Sequence, residues 1–139
     1  EMRGIPLRIE VGPKDIEKEQ VVMVRRDNRK KVFVPMRELT ERAEQLLEQE
    51  QEDMLARAKD FLNSHISDAH TYEEFKDAVA NRPGFIRGMW CGDEACEDRI
   101  KEDTTATSRC MPFDEDTIDD KCVCCGKPAH RLVYWGKAY

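Results

Sequence analysis

No apolar run in this 139-residue chain is long enough to cross a membrane as a helix. The longest, Val21-Val-Met-Val24, falls far below the ~20 residues that a spanning helix needs. The opening residues, Glu1-Met-Arg-Gly-Ile-Pro6, lack the basic start and long apolar stretch of a secretory leader. Neither a P-loop nor a Gly-x-Gly-x-x-Gly turn is present, so no phosphate cradle of those types can form. His65, His70 and His130 are scattered, and no serine or cysteine nucleophile can be paired with any of them. No catalytic centre is therefore legible. A basic surplus is also missing: the net charge is −6, which excludes broad coating of nucleic acid but allows a local basic patch. There is no internal repeat, and only the Glu/Gln-rich stretch 48–52 approaches low complexity.

What the chain does hold is cysteine, and all six lie beyond residue 90. In an acidic chain without a secretion signal, a reducing cytosol favours metal ligation over disulfides. Four of the six have the spacing of a zinc site, Cys91-x4-Cys96 followed by Cys122-x2-Cys125. The second pair sits in Lys121-Cys-Val-Cys-Cys-Gly-Lys127, a knuckle-like turn with glycine after the last thiol. Four thiolates close a tetrahedral site and leave no open position for catalysis, so the site is expected to build structure. Four buried small residues in a reduced core is the plainer alternative. Cys124 could replace Cys125, although a one-residue spacing aims two side chains poorly at one ion. Cys110, in mid-strand, is expected to be a core thiol. A redox role for Cys122-x2-Cys125 is disfavoured, because the pair does not open a helix after a βαβ strand.

Charged residues make up 37% of the chain, enough polar surface for a modest core in one domain, or in one small domain plus part of another. Leu7-Arg-Ile-Glu-Val11 alternates as a strand, and Pro13–Glu17 reads as a short helical turn opened by proline. Gln20–Arg25 and Lys31–Pro35 flank Asp27-Asn28 and predict a hairpin. From Met36 the period changes: Met36, Leu39, Ala43, Leu46, Leu47, Met54, Ala58, Phe61 and Leu62 recur mostly at three and four. This predicts an amphipathic helix over 36–63 that covers a sheet face or bridges two domains, with Glu50 interrupting the stripe and a bend or break possible there. A weak strand or linker at 63–68 precedes the capping box Thr71-Tyr-Glu-Glu74 and a helix to about residue 80, stopped by Arg82-Pro-Gly84. Phe85–Trp90 predicts a strand, 93–101 a helix carrying Cys96, and Thr107–Met111 and Arg131–Trp135 two further strands. The fold class is α+β, with a two-layer β-α-β-α-β-β unit after the long helix.

Arg25, Arg26, Arg29, Lys30 and Lys31 cluster at the hairpin tip. A solvated strand edge and a phosphate contact explain them equally well, and Arg25 and Arg26 are the candidate RNA-binding residues. The acidic run Asp114-Glu-Asp116 with Asp119-Asp120 reads as a solvated loop rather than a site for a hard cation.

Several stretches together resemble the C-terminal end of the prolyl-tRNA synthetases, in the form that carries a zinc-binding C-terminal domain. They are Gly4–Pro13, Val21–Arg26, Trp90-Cys-Gly92 with Cys96-Glu97, Thr104–Thr107, Arg109–Phe113, the Cys122–Pro128 knuckle and Gly136-Lys-Ala-Tyr139. The resemblance spans essentially the whole chain. It implies the last part of an anticodon-binding domain over 1–35, a linking helix over 36–63 and a zinc-binding domain over 64–139. It also implies that Cys91, Cys96, Cys122 and Cys125 hold one structural zinc ion, although a cysteine at position 124 departs from the family pattern. The parent enzyme of such a family ligates proline to tRNA(Pro) using ATP and Mg²⁺. It is expected to be a cytoplasmic homodimer with no membrane contact, and its catalytic motifs would lie upstream. Together with an opening at Glu1, this reads as a C-terminal fragment with no aminoacylation activity of its own. Tyr139, matching the family's terminal tyrosine, would shape the active site from a distance. The alternative is a free-standing zinc-stabilised adaptor that binds RNA or protein.

Overall fold

Period-two patterning near the start of the chain is realised as an antiparallel sheet in the order β1-β2-β3, formed by Leu7–Glu10, Gln20–Arg25 and Lys31–Pro35. The computed structural model describes residues 3–113 and 116–138. The chain divides into two units, Glu1–Asp60 and Phe61–Tyr139. In the first, β2 is the central strand, and Val21, Val22, Met23 and Val24 are all buried. Registers Ile9↔Met23 and Met23↔Val32 put the odd-numbered β2 residues on one face. The other face carries Val22 and Val24 beside Arg8, Glu10 and Lys31. Glu10 pairs there with Arg8 at 2.7 Å and with Lys31 at 3.6 Å, and long basic stems of this kind cover apolar neighbours while their charges stay wet.

Helix α1, Pro13–Glu17, starts with proline at its first position, where the missing N–H costs nothing. A 3-10 turn, Met36–Glu38, leads into α2, Leu39–Ser64. The apolar stripe expected along 36–63 is used only at its start: Leu39, Ala43 and Leu46 pack on Val21, Met23 and Val34. Leu47, Met54, Phe61 and Leu62 are exposed. Length explains this. Twenty-six helical residues span ~39 Å, whereas six strand residues span only ~20 Å. The helix runs unbroken through Glu50, which is 3% exposed, with no hydrogen-bond partner for either carboxylate oxygen among the described residues.

The second unit is a four-stranded sheet in the order β4-β5-β7-β6, formed by Ile66–Asp68, Phe85–Trp90, Arg131–Lys137 and Ala106–Cys110. Helix α3, Tyr72–Asn81, connects the parallel pair β4 and β5, and α4, Glu94–Thr104, joins β5 to β6. The capping box forms as read: the Glu74 N–H donates to the Thr71 hydroxyl at 3.2 Å, and the Glu74 carboxylate accepts from the Thr71 and His70 N–H groups. Phe75 from α3 meets Trp135 edge-on at 5.9 Å, and Tyr72 reaches Asp103 of α4 at 2.8 Å, so the two helices lie side by side. Gly84 takes φ +116, and a Cβ there would stand 1.9 Å from the His65 carbonyl oxygen. Only glycine admits this entry into β5.

Cys110 differs from the expectation of a core thiol. It ends β6 just past an irregularity in the β6–β7 register, and it is exposed. One extra residue in a strand shifts its side chains to the other face. No helix among the described residues is long and apolar enough to cross a membrane.

Candidate functional site

Four cysteines converge from three places. Cys91 follows directly on β5, and Cys96 lies in the first turn of α4. Cys122 and Cys125 stand on the knuckle. Asp93 caps α4 by accepting from the Ala95 N–H at 3.1 Å, and the Trp90 indole N–H donates to the Asp93 carbonyl, which fixes the short path between the first two thiols. The knuckle closes on itself: the Gly126 N–H donates to the Cys122 carbonyl, and the Cys122 N–H donates to the Lys127 carbonyl, both at 2.8 Å. Gly126 sits at φ +70, the left-handed region that glycine enters without cost. The Val123 N–H then donates to the Met89 carbonyl at 2.9 Å, which ties the knuckle to β5 just before Cys91.

The four Sγ atoms all lie within 4.8 Å of one another. Cys91 stands 3.7 Å from Cys96 and 3.8 Å from Cys125. Four thiolates at ~2.3 Å from one ion define a tetrahedron with an edge of ~3.8 Å, so these spacings suit a metal ion. Cys124 is buried but stands outside this set, as does Cys110. Among the described residues, no other group of three or more metal-ligating side chains comes together in this way.

The four thiols also act on one another electrostatically. Burial pushes the Cys96 and Cys122 thiols up, and neighbouring thiols raise Cys96 further. At Cys125 burial acts upward too, but the Lys127 N–H and the thiols of Cys96, Cys122 and Cys91 outweigh it, so this group is held below its ordinary value. Burial also pushes Cys124 up, against the opposing influence of the Cys96 thiol and Arg99.

The hairpin tip gives Arg25 a place that the run of cations did not suggest. Arg25 shares a strand face with Val21 and Met23 and is 5% exposed. Its Nε and Nη2 donate to the two Asp27 oxygens at 2.9 Å, and Nη2 also donates to Asp53 of α2 at 2.7 Å. Arg57 donates to the same Asp27 carboxylate at 3.0 Å. The Arg25 hydrogen bonds hold Asp27 down at about 2 against the upward push of burial. Arg25 is thus spent on internal carboxylates. Arg26, beside it, is half-buried and lines a groove of about 720 Å³ with Ile5, Pro6, Arg8, Val24 and Lys31. The period-two pattern of Val21, Met23 and Arg25 was the sequence signal for the inward turn.

In the acidic run, Asp116 and Asp120 are exposed, and Asp119 accepts from the Asp120 N–H and pairs with His70 at 3.4 Å. Asp114, Glu115 and Tyr139 lie outside the described residues.

Comparison with known proteins matches residues 72–139 to the family model "Prolyl-tRNA synthetase, C-terminal" and residues 1–46 to "Anticodon binding domain". A proline–tRNA ligase of Agathobacter rectalis is 65% identical over the whole chain, and one of Lachnospira eligens is 59% identical. A proline–tRNA ligase of Clostridium botulinum is 55% identical. The chain spans 29% of the length of each of these relatives. A crystal structure of prolyl-tRNA synthetase from Cryptosporidium parvum, complexed with halofuginone and AMPPNP, superposes with a TM-score of 0.90 at 36% identity. That match covers 99% of this chain and 29% of the other.

Proposed function

The chain belongs to the prolyl-tRNA synthetase family, and from that premise we propose that it serves as the anticodon-side, zinc-stabilised region of an enzyme that ligates proline to tRNA(Pro). The observation that carries this reading is the 65% identity to a proline–tRNA ligase over the full length of the chain. The complete protein would activate proline with ATP and Mg²⁺ and pass it to tRNA, acting as a cytoplasmic homodimer. In this scheme residues 1–35 are the end of the anticodon-binding domain, 36–63 a linking helix and 64–139 the zinc-binding domain.

Zinc is the metal the thiol set favours. Four soft ligands with tetrahedral spacing suit it, and a closed shell of thiolates leaves no position for a substrate. Cys91, Cys96, Cys122 and Cys125 would hold the ion, with bound zinc supplying a cross-link and no reaction chemistry. The knuckle, the end of β5 and the start of α4 are what it would join. At the hairpin tip Arg26 is the proposed phosphate contact, since Arg25 is engaged by Asp27 and Asp53.

The test uses the full-length protein that contains this chain. It should support proline-dependent ATP–pyrophosphate exchange and prolylate tRNA(Pro). Arg26→Glu should raise the KM for tRNA severalfold and leave the exchange rate within about twofold, because a lost phosphate contact weakens RNA binding uniformly. Absence of prolylation by the intact protein would refute the assignment.

A further inference from the structure

The first unit contains a buried charge network that none of the proposed roles uses. Arg25, Asp27, Asp53 and Arg57 are joined by four contacts of 2.7–3.0 Å: Arg25 Nε and Nη2 to Asp27, Arg25 Nη2 to Asp53, and Arg57 to Asp27. Its formal charge is zero, so it adds no net attraction for an anion. It does join the turn at 25–30 to the middle of α2, residues 28 and 30 positions further along the chain. Two of the four groups are almost wholly buried, the Arg25 and Asp27 side chains at 6% and 3% exposure. The other two, on α2, are about half exposed.

The turn has a left-handed residue in its backbone. Arg29 takes φ +58, a conformation that non-glycine residues enter at a cost. The Arg29 N–H donates to the Arg25 carbonyl at 3.0 Å, and the Lys30 N–H donates to the Asn28 side chain at 2.9 Å. The Arg26 N–H donates to the Pro6 carbonyl at 2.8 Å, so this residue is fixed between β1 and the turn. Arg25 and Asp27 thus hold the start of the turn through their side chains, and the Arg25 carbonyl accepts from Arg29 farther along it.

We propose that the Arg25–Asp27–Asp53–Arg57 network is a positioning device, which locks the β2–β3 turn onto α2 and fixes the direction in which Arg26 meets an RNA phosphate. It rests on the reading of Arg26 as an RNA contact. Asp53 and Arg57 touch no RNA in this scheme and lie outside the basic groove. They act through the turn, by removing alternative orientations that would otherwise be lost on binding.

Kinetics of the full-length enzyme with tRNA(Pro) transcript test this. Asp53→Ala and Arg57→Ala should each raise the KM for tRNA roughly fivefold while kcat and proline-dependent pyrophosphate exchange stay within about twofold. Asp53→Glu, which restores the carboxylate, should recover most of the loss. In an Arg26→Ala background, Asp53→Ala should add less than about twofold, because a residue that acts through Arg26 has little left to lose. If Arg26→Ala raises the KM but Asp53→Ala and Arg57→Ala do not, the positioning role is overturned. The same holds if the Asp53 and Arg26 effects multiply independently while the melting temperature falls, since that is the mark of general loosening. An unchanged KM in Arg26→Ala itself removes the RNA contact, and the positioning role with it.

Discussion

Single side chains in this molecule divide into those whose type announces their role and those whose neighbours decide it. Cysteines at 91, 96 and 122 are of the first kind: their spacing marks them as ligands, and the fold brings their Sγ atoms and that of Cys125 within 4.8 Å of one another. Cys124 and Cys110 are of the second. Sequence could not separate Cys124 from Cys125, because the choice depends on the turn conformation at Gly126 and on the bond from Val123 to Met89. Cys110 was misplaced for a similar reason. A register irregularity between Ser108 and Cys110 changes which side of the strand it occupies, and no residue type marks it. Arg25 shows the reverse case, in which a charge run hid a legible alternation.

The Arg25–Asp27 pair also has a consequence for pH. Asp27 is held at about 2, below the unfolded carboxylate value, chiefly by its bonds to Arg25. A depressed folded value contributes stability that is present above the unfolded value of ~3.9 and lost as pH falls towards the folded one. Chemical denaturation of this chain between pH 5 and pH 2 should show that loss, and Asp27→Asn should flatten it on that limb. An identical acid limb in the variant would remove the pair from the account.

At the scale of elements, strands and helices follow their patterns, and the mistakes lie in what each element covers. The order β4-α3-β5-α4-β6-β7 matches the two-layer reading, because capping residues and period changes are local signals. Helix α2 was legible as a helix and not as a half-covered one. Its stripe continues beyond the reach of a three-stranded sheet, and periodicity carries no information about partner length. Glu50 lies one turn past Leu46 on that stripe, where sequence showed an interruption open to a bend or break and the structure has a buried carboxylate in an unbroken helix. Burying a polar group without a partner costs about 1–3 kcal/mol, so Glu50→Leu should stabilise the chain by an amount of that order. Thermal melting of this chain checks it, with a rise of several degrees expected and a fall showing that Glu50 has a stabilising partner.

For the molecule as a whole, two units carry two different kinds of chemistry. The first unit gathers basic residues at one hairpin, although the full chain has a net charge of −6. The second gathers thiols where β5, α4 and the knuckle meet. The chain covers 29% of the length of the Agathobacter rectalis and Lachnospira eligens ligases. Sequence made the family legible through stretches such as Trp90-Cys-Gly92 and the knuckle, whose glycine and thiols are dictated by turn geometry and metal reach. The neutral network beneath the hairpin was not legible, because it depends on bringing Asp53 and Arg57 back over residues 25–27.

Four particular thiols out of six are proposed to close around one zinc ion. X-ray absorption at the zinc edge of the purified chain, with metal content measured on the same sample, tests it most directly. The account predicts about one zinc per chain and four sulfur neighbours at ~2.3 Å, unchanged in Cys124→Ser and Cys110→Ser, with one sulfur lost in Cys125→Ser. A nitrogen or oxygen neighbour in the wild-type shell, or a sulfur lost in Cys124→Ser, would contradict it.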